Sequence, residues 1–240
     1  MKCIIVAAGY ATRFYPLTEN FPKPLLNIQG KPILDYLIED IYDDIDEFVV
    51  VTNHKFYNHF LKWSENRKIR IIDDGTSDNE NRLGAVRDIE LASRGIDDDC
   101  LVMAGDNLLD FSLKGFIDYA ISVNTSCVMT HKENELKALQ KTAVITIDEN
   151  NLITSYEEKP LEPKGNLAVP PFYFYKNEDL KRINEALSDG CAYDAPGSFA
   201  AWLSKKVPMH AYIMPGKRYD IGDIESYNKA NQLNIKKKGR

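Results

Sequence analysis

Apolar positions along the chain change period several times. Residues 3–8 (CIIVAA) form an unbroken, β-branched-rich apolar run. That run is too short for a core helix and is of the kind carried by a strand covered on both faces. From Pro32 the period lengthens: Ile33, Leu34, Leu37, Ile38 and Ile41 share one helical face behind an N-terminal proline. The alternation then repeats, with a strand at 47–52, a helix over 55–67, a strand at 68–72, a polar loop over 73–82, a helix over 83–94 and a strand at 100–104. A β-α-β-α order of this kind predicts an α/β fold with a mostly parallel sheet, right-handed crossovers and helices on both faces.

The second half reads differently. Strands are expected at 126–132, 142–148 and 152–158, the last two joined by a turn at 149–151, and a further single strand at 166–175. Helices around 178–188 and 197–205, a strand at 209–214 and a last helix from Ile224 to about Leu233 follow. No repeat, low-complexity stretch or linker divides the chain. The expectation is one domain over 1–240, built of two halves at 1–110 and 111–235 and ending in a frayed basic tail at 236–240.

Charge and cysteines narrow the function classes. With a formal net charge of −6 over 240 residues, the chain lacks the basic footprint of a nucleic-acid binder. It retains the means to hold a small anion through a local Arg/Lys cluster. Cys3, Cys100, Cys127 and Cys191 are far apart in sequence, so neither a zinc ribbon nor a CxxC redox pair is expected. They read as reduced thiols of a cytoplasmic protein. Lys2 and the first apolar run suggest a strand rather than an export signal. No apolar run approaches the ~18 residues of a membrane span, so no membrane partner is expected.

The chemistry concentrates at residues 7–26, AAGYATRFYPLTENFPKPLL. A small-residue turn leaving a first parallel strand presents backbone N–H groups at the carboxyl end of the sheet, where α/β folds bind phosphates. Arg13 adds a fork suited to phosphate oxygens. Lys23 is stiffly mounted between Pro22 and Pro24. Together these residues form a polyphosphate cradle. The pattern is neither GxGxxG nor GxxxxGK[ST], so a dinucleotide fold and a P-loop are both unsupported.

Residues 7–34 resemble the signature of the sugar-1-phosphate nucleotidylyltransferases, in particular the short glucose-1-phosphate thymidylyl- and uridylyltransferases. MAGDNL (103–108), EEKP (157–160) and YDIGDIESY (219–227) match further motifs of that family in order. The resemblance implies a Rossmann-like nucleotide-binding domain with an inserted sugar-binding β region. It also implies a reaction in which a sugar-1-phosphate oxygen attacks the α-phosphorus of a nucleoside triphosphate (dTTP, UTP or CTP) and pyrophosphate leaves. Such an acceptor is already anionic near neutral pH, its second pKa being about 6, so no general base is required. His54, His59, His131 and His210 accordingly need no catalytic role.

By the same resemblance Ala8, Gly9, Thr12, Arg13, Lys23 and Gly84 would meet the nucleotide, and Arg13, Lys23 and Asp106 would be catalytic. Glu158, Lys159 and Val169 would meet the acceptor, and Asp106 and Asp220 would ligate Mg²⁺. Plainer readings stand beside these: Asp106 as a helix or turn cap, Asp220 as a turn residue beside Gly222, Lys159 paired with Glu157 or Glu158. Asp97, Asp98 and Asp99 precede their strand and read as a turn.

The chain departs from the family pattern at several places. Ala11 stands where a glycine is usual. The base loop is Arg82-Leu83-Gly84-Ala85-Val86-Arg87. Lys141-Thr142-Ala143-Val144 and Val169-Pro170-Pro171 replace the usual residues of the sugar wall. A cytidylyltransferase for a non-sugar acceptor such as phosphocholine, or a non-catalytic nucleotide-sugar sensor, are therefore alternatives. A stand-alone catalytic domain without a β-helix extension is expected.

Overall fold

In a computed structural model that describes residues 1–232, the first half folds as four adjacent parallel strands. β1 (Lys2–Val6) lies between β4 (Glu47–Thr52) and β6 (Cys100–Ala104), and β5 (Ile69–Asp73) forms the edge. A two-residue-per-strand hairpin, β2 (Asn27–Ile28) and β3 (Lys31–Pro32), leads into α1 (Ile33–Asp40). α2 (Tyr57–Trp63) and α3 (Ala85–Ser93) supply the following crossovers.

The second half extends the same sheet. β8 (Ser126–Lys132), β9 (Ala143–Ile147) and β10 (Ile153–Glu158) are joined by β11 (Leu167–Val169) and β12 (Phe172–Tyr175). β13 (Met209–Ile213) runs parallel to β8 on its other side. The path is β10-β9-β11-β8-β12-β6-β1-β4-β5, with β13 completing ten strands. β12 is antiparallel both to β6 and to β8, so it stitches the halves together.

Because successive side chains on a strand face opposite ways, each strand feeds two cores. Ile4 packs with Val86 and Ile89 of α3 and with Phe199. Cys3 and Ile5 pack with Leu34 and Leu37 of α1, Phe60 of α2 and Phe116. The expected α/β architecture with both faces covered is what forms. No described helix is long and apolar enough to cross a membrane.

The structure differs from the sequence reading in detail. The run at 166–175 is two strands: Pro170 and Pro171 withhold N–H donors, so β11 pairs with β8 and β9 and β12 with β8 and β6. The helix expected over 178–188 is two short ones, α6 (Asn177–Leu180) and α7 (Ile183–Ser188), before α8 (Gly197–Leu203). Other features escaped the reading, the β2–β3 hairpin among them. α4 (Lys114–Val123) carries Gly115 near its start, which weakens its helical signal. A Cβ there would stand 2.7 Å from the Tyr212 hydroxyl, so glycine is the residue that lets α4 lie against β13. α5 (Leu136–Leu139) is a single turn. β7 (Asn107–Leu109) and β14 (Arg218–Asp220) pair as a three-residue ribbon too short for periodicity to reveal. α9 (Ile224–Gln232) matches the expected last helix; Leu233 and the tail at 236–240 lie outside the described residues.

Candidate active site

A cavity of about 800 Å³ opens at the carboxyl ends of β1 and β6. All eleven residues singled out from the sequence line it: Ala8, Gly9, Thr12, Arg13, Lys23, Gly84, Asp106, Glu158, Lys159, Val169 and Asp220.

The turn after β1 is held from beneath. Asn53, fully buried, donates from Nδ2 to the Ala8 carbonyl at 2.9 Å. The Thr18 hydroxyl donates to the Ala11 carbonyl at 2.8 Å. Ala11 has φ 48° and ψ 42°, the left-handed conformation that favours glycine. Lys23 opens a 3-10 turn behind Pro22 and is 7% exposed; its Nζ sits over the Phe14 ring at 4.9 Å and donates to Asp106 Oδ2 at 2.7 Å. Arg13 is exposed at the rim of the cavity.

Asp106 follows β6, whose register with β1 sets Ala104 opposite Val6. It caps no helix, since a strand follows, and its carboxylate faces Lys23 instead. The β7–β14 ribbon sets Asp220 opposite Asn107, and Ile221 N donates to the Asp106 carbonyl at 3.2 Å. Two carboxylates 114 positions apart in sequence are thereby carried on adjoining backbone. Among the described residues no three His, Cys, Asp or Glu side chains gather as a metal cage. Two carboxylates beside an open cavity nevertheless suit Mg²⁺, which keeps water and phosphate oxygens as its other ligands.

Just after β10, Lys159 has φ 47° and its N–H donates to the Thr142 carbonyl at 3.1 Å. Glu157 pairs with Lys164 at 2.8 Å, leaving Lys159 to line the cavity. Glu158 Oε2 is buried without a hydrogen-bond partner, and burial raises the pKa of its carboxyl, against the opposing pull of Lys159. A Cβ on Gly197 would collide with Glu158 Oε2 and stand 3.2 Å from the Tyr156 hydroxyl and 3.3 Å from that of Tyr173. Three polar groups thus converge beneath the start of α8. Val169 ends β11, its carbonyl accepting from the Thr142 hydroxyl at 3.1 Å.

Gly84 is locked by the other half of the chain. It has φ 88°, and a Cβ there would lie 2.7 Å from the Tyr193 carbonyl oxygen. The Tyr193 carbonyl accepts from Val86 N at 2.9 Å, and Arg82 grips Asp194 through two bonds of 3.1 and 2.8 Å.

Four further residues in or behind the cavity were not anticipated. Arg218 and Asn107 lie on the unrecognised ribbon; Arg218 lines the cavity and Asn107 backs Asp106. Asp88, one turn into α3, is 4% exposed, and its Oδ1 has no partner. Burial, then the nearby Asp74 charge, pushes its pKa up to about 7. A lone acid at a core-facing helix position was the available signal. His131 also lines the cavity, its pKa lowered by burial and then by Arg218. The run 97–99 stands apart from the cavity: Asp99 accepts from Lys176 Nζ and Asn177 N at 2.7 and 2.8 Å, fastening the start of α6.

An α/β sheet with a phosphate-type turn, two cations and two carboxylates lining one cavity at its carboxyl end is an arrangement suited to a nucleotide-handling transferase. Residues 2–237 match the nucleotidyl transferase family, and the chain belongs to it. It is 30% identical over 185 residues to the bifunctional protein GlmU of Methanocaldococcus jannaschii, covering 77% of this chain and 42% of that one. The chain thus spans about two fifths of the length of that relative. It is 26% identical to the UTP–glucose-1-phosphate uridylyltransferase AglF of Haloferax volcanii, over 97% of this chain and 96% of that protein. The fold is that of UDP-glucose pyrophosphorylase solved with UDP-glucose, with a TM-score of 0.82 at 24% identity, covering 96% of this chain and 97% of that one.

Proposed function

We propose that the chain transfers a nucleotidyl group from a nucleoside triphosphate to a sugar-1-phosphate, giving a nucleoside-diphosphate sugar and pyrophosphate. The observation that carries this reading is the convergence of Arg13, Lys23, Asp106, Lys159 and Asp220 on one cavity in a chain of this family.

In this reading the turn at Ala8, Gly9 and Thr12 and the cations Arg13 and Lys23 hold the triphosphate. Lys23 gives up part of its bond to Asp106 as phosphate oxygens arrive, and it screens the charge that grows on departing pyrophosphate. Lys159 receives the acceptor phosphate. Glu158 and the Tyr173 hydroxyl, with Tyr156 behind them, meet sugar hydroxyls, and Val169 closes that wall. Gly84 brings its backbone close to the base. Asp106 and Asp220 would hold Mg²⁺, which when bound would neutralise charge between the two phosphates. The attacking oxygen carries its own negative charge, so no side chain need remove a proton. Four free thiols, three of them buried, support the reducing cytoplasm as the location.

The test is pyrophosphate release from each common NTP against a panel of sugar-1-phosphates and phosphocholine, with Mg²⁺ present. Turnover with a pyrimidine nucleotide and a hexose-1-phosphate, reversible by added pyrophosphate, is expected. Turnover with phosphocholine alone would replace the sugar acceptor. A folded protein that binds a nucleotide sugar yet turns over no pair would replace the enzyme with a sensor.

A further inference from the structure

A line of side chains crosses the cavity floor from one half of the chain to the other. Lys23 Nζ donates to Asp106 Oδ2 at 2.7 Å. Asn107 Nδ2 donates to Asp106 Oδ1 at 2.9 Å. Arg218 Nη1 donates to Asn107 Oδ1 at 2.6 Å and stands 3.7 Å from Asp220 Oδ1. The orientation of the Asn107 amide follows from chemistry, because a guanidinium has donors only and a carboxylate acceptors only. The oxygen must therefore face Arg218 and the nitrogen must face Asp106.

We infer that Asn107 and Arg218 are positioning residues for the Asp106–Asp220 carboxylate pair, fixing it before any cation or phosphate arrives. The use of that pair rests on the function proposed above. Three observations carry the inference. Asn107 is fully buried, yet both ends of its amide are engaged, one toward each half. The ribbon beneath is three residues per strand, a slight clamp for two carboxylates from distant parts of the sequence. The carboxylates are also held unequally. Asp106 is gripped at both oxygens, whereas the Asp220 side chain is 55% exposed and, among the described residues, has its ion pair with Arg218 alone. Each gripped oxygen of Asp106 keeps a second lone pair for a further partner. Arg218 supplies two directions from one rigid plane, toward Asn107 and toward Asp220, which a lysine ammonium on a flexible stem does not reproduce.

Arg218→Lys and Asn107→Leu test this on the full chain. The primary readout is Mn²⁺ alone, titrated against each protein and followed by loss of the free-ion electron paramagnetic resonance signal, which needs no turnover. Both variants should bind Mn²⁺ roughly 10-fold or more weakly, the usual cost of losing a group that orients a metal ligand. For Arg218→Lys the melting temperature should stay close to the parent's, since the side chain is partly exposed; this keeps the test decisive if Asn107→Leu fails to fold. In turnover, half-saturating Mg²⁺ should rise by the same factor while KM for the nucleotide hardly moves. Unchanged Mn²⁺ affinity in Arg218→Lys overturns the inference, as does a parent protein that binds no Mn²⁺. A rise confined to the acceptor KM would make Arg218 a contact of the acceptor. A parent that binds Mn²⁺, loses it on these substitutions and turns over no substrate pair would leave the positioning intact and refute the proposed reaction.

Discussion

Lys23 and Asp106 form a 2.7 Å ion pair in which the lysine side chain is 9% exposed and the carboxylate 33%. The pair couples charge balance to function, because the lysine needs a counterion until phosphate supplies one. Asp106→Asn and Asp220→Asn should therefore differ. Both should cut turnover roughly 100-fold or more, the scale of losing a major electrostatic contact in the transition state. Only Asp106→Asn should also lose stability, by about 1–3 kcal/mol, because a nearly buried ammonium is left facing a neutral amide. Urea unfolding of the two variants checks this. Equal midpoints would show that Lys23 finds another partner.

Arg13→Ala and Lys159→Ala should separate the substrates. Both residues line the cavity, one after β1 and one after β10, strands separated by five others along the sheet. The first change should raise KM chiefly for the nucleotide and the second chiefly for the acceptor, as expected when ground-state contacts are lost. Matching defects in both constants for both variants would refute the assignment.

Ala11→Gly should stabilise the protein. At φ 48° a Cβ is strained, and its removal returns about 0.5–1 kcal/mol after the greater freedom of glycine in the unfolded chain is subtracted. Activity should be retained or increased. A lower urea midpoint would mean that the alanine methyl makes contacts worth more than the strain.

Asp88 should make stability fall with rising pH. Its folded pKa, near 7 through burial and then Asp74, lies above the unfolded value of 3.8. The folded state therefore holds a proton that the unfolded state has released. That contribution is present in full below the unfolded pKa, is lost progressively as pH climbs toward 7, and is gone above it. The total is on the order of 4 kcal/mol. Asp88→Asn should remove this decline, so the variant should gain on the parent between pH 5 and pH 8 when both are followed by urea unfolding. Parallel pH profiles would show that Asp88 is ionised and paired.

The cavity was legible in the sequence where its residues sit beside strong local signals. The first strand, its small-residue turn and the Pro-flanked Lys23 announce themselves through apolar continuity and backbone restriction. Ala11 stands where the resembled family usually has a glycine, and it adopts a positive φ. Asn107 and Arg218 were hidden because the ribbon carrying them is three residues per strand, shorter than any period. The break in β11–β12 was foreseeable, since two prolines interrupt an otherwise continuous run. The grip of Tyr193 and Asp194 on the base loop was not, because it depends on two segments about 110 positions apart meeting in space. Local chemistry is written in local sequence, whereas convergence is written in topology.

β12 is hydrogen-bonded to a strand of each half, so the floor beneath both proposed substrates is one uninterrupted plate. A plate has no seam along which two lobes part. Bending it would break ladder hydrogen bonds on both edges of β12 at once. Admission of reactants and escape of pyrophosphate then fall to the loops, where Asn79 and Arg82 of the polar segment at 73–82 and Glu133 and Lys141 between β8 and β9 line the cavity. Turnover limited by release would be paced by those segments, and it would respond to stiffening them rather than to strengthening the contact between the halves.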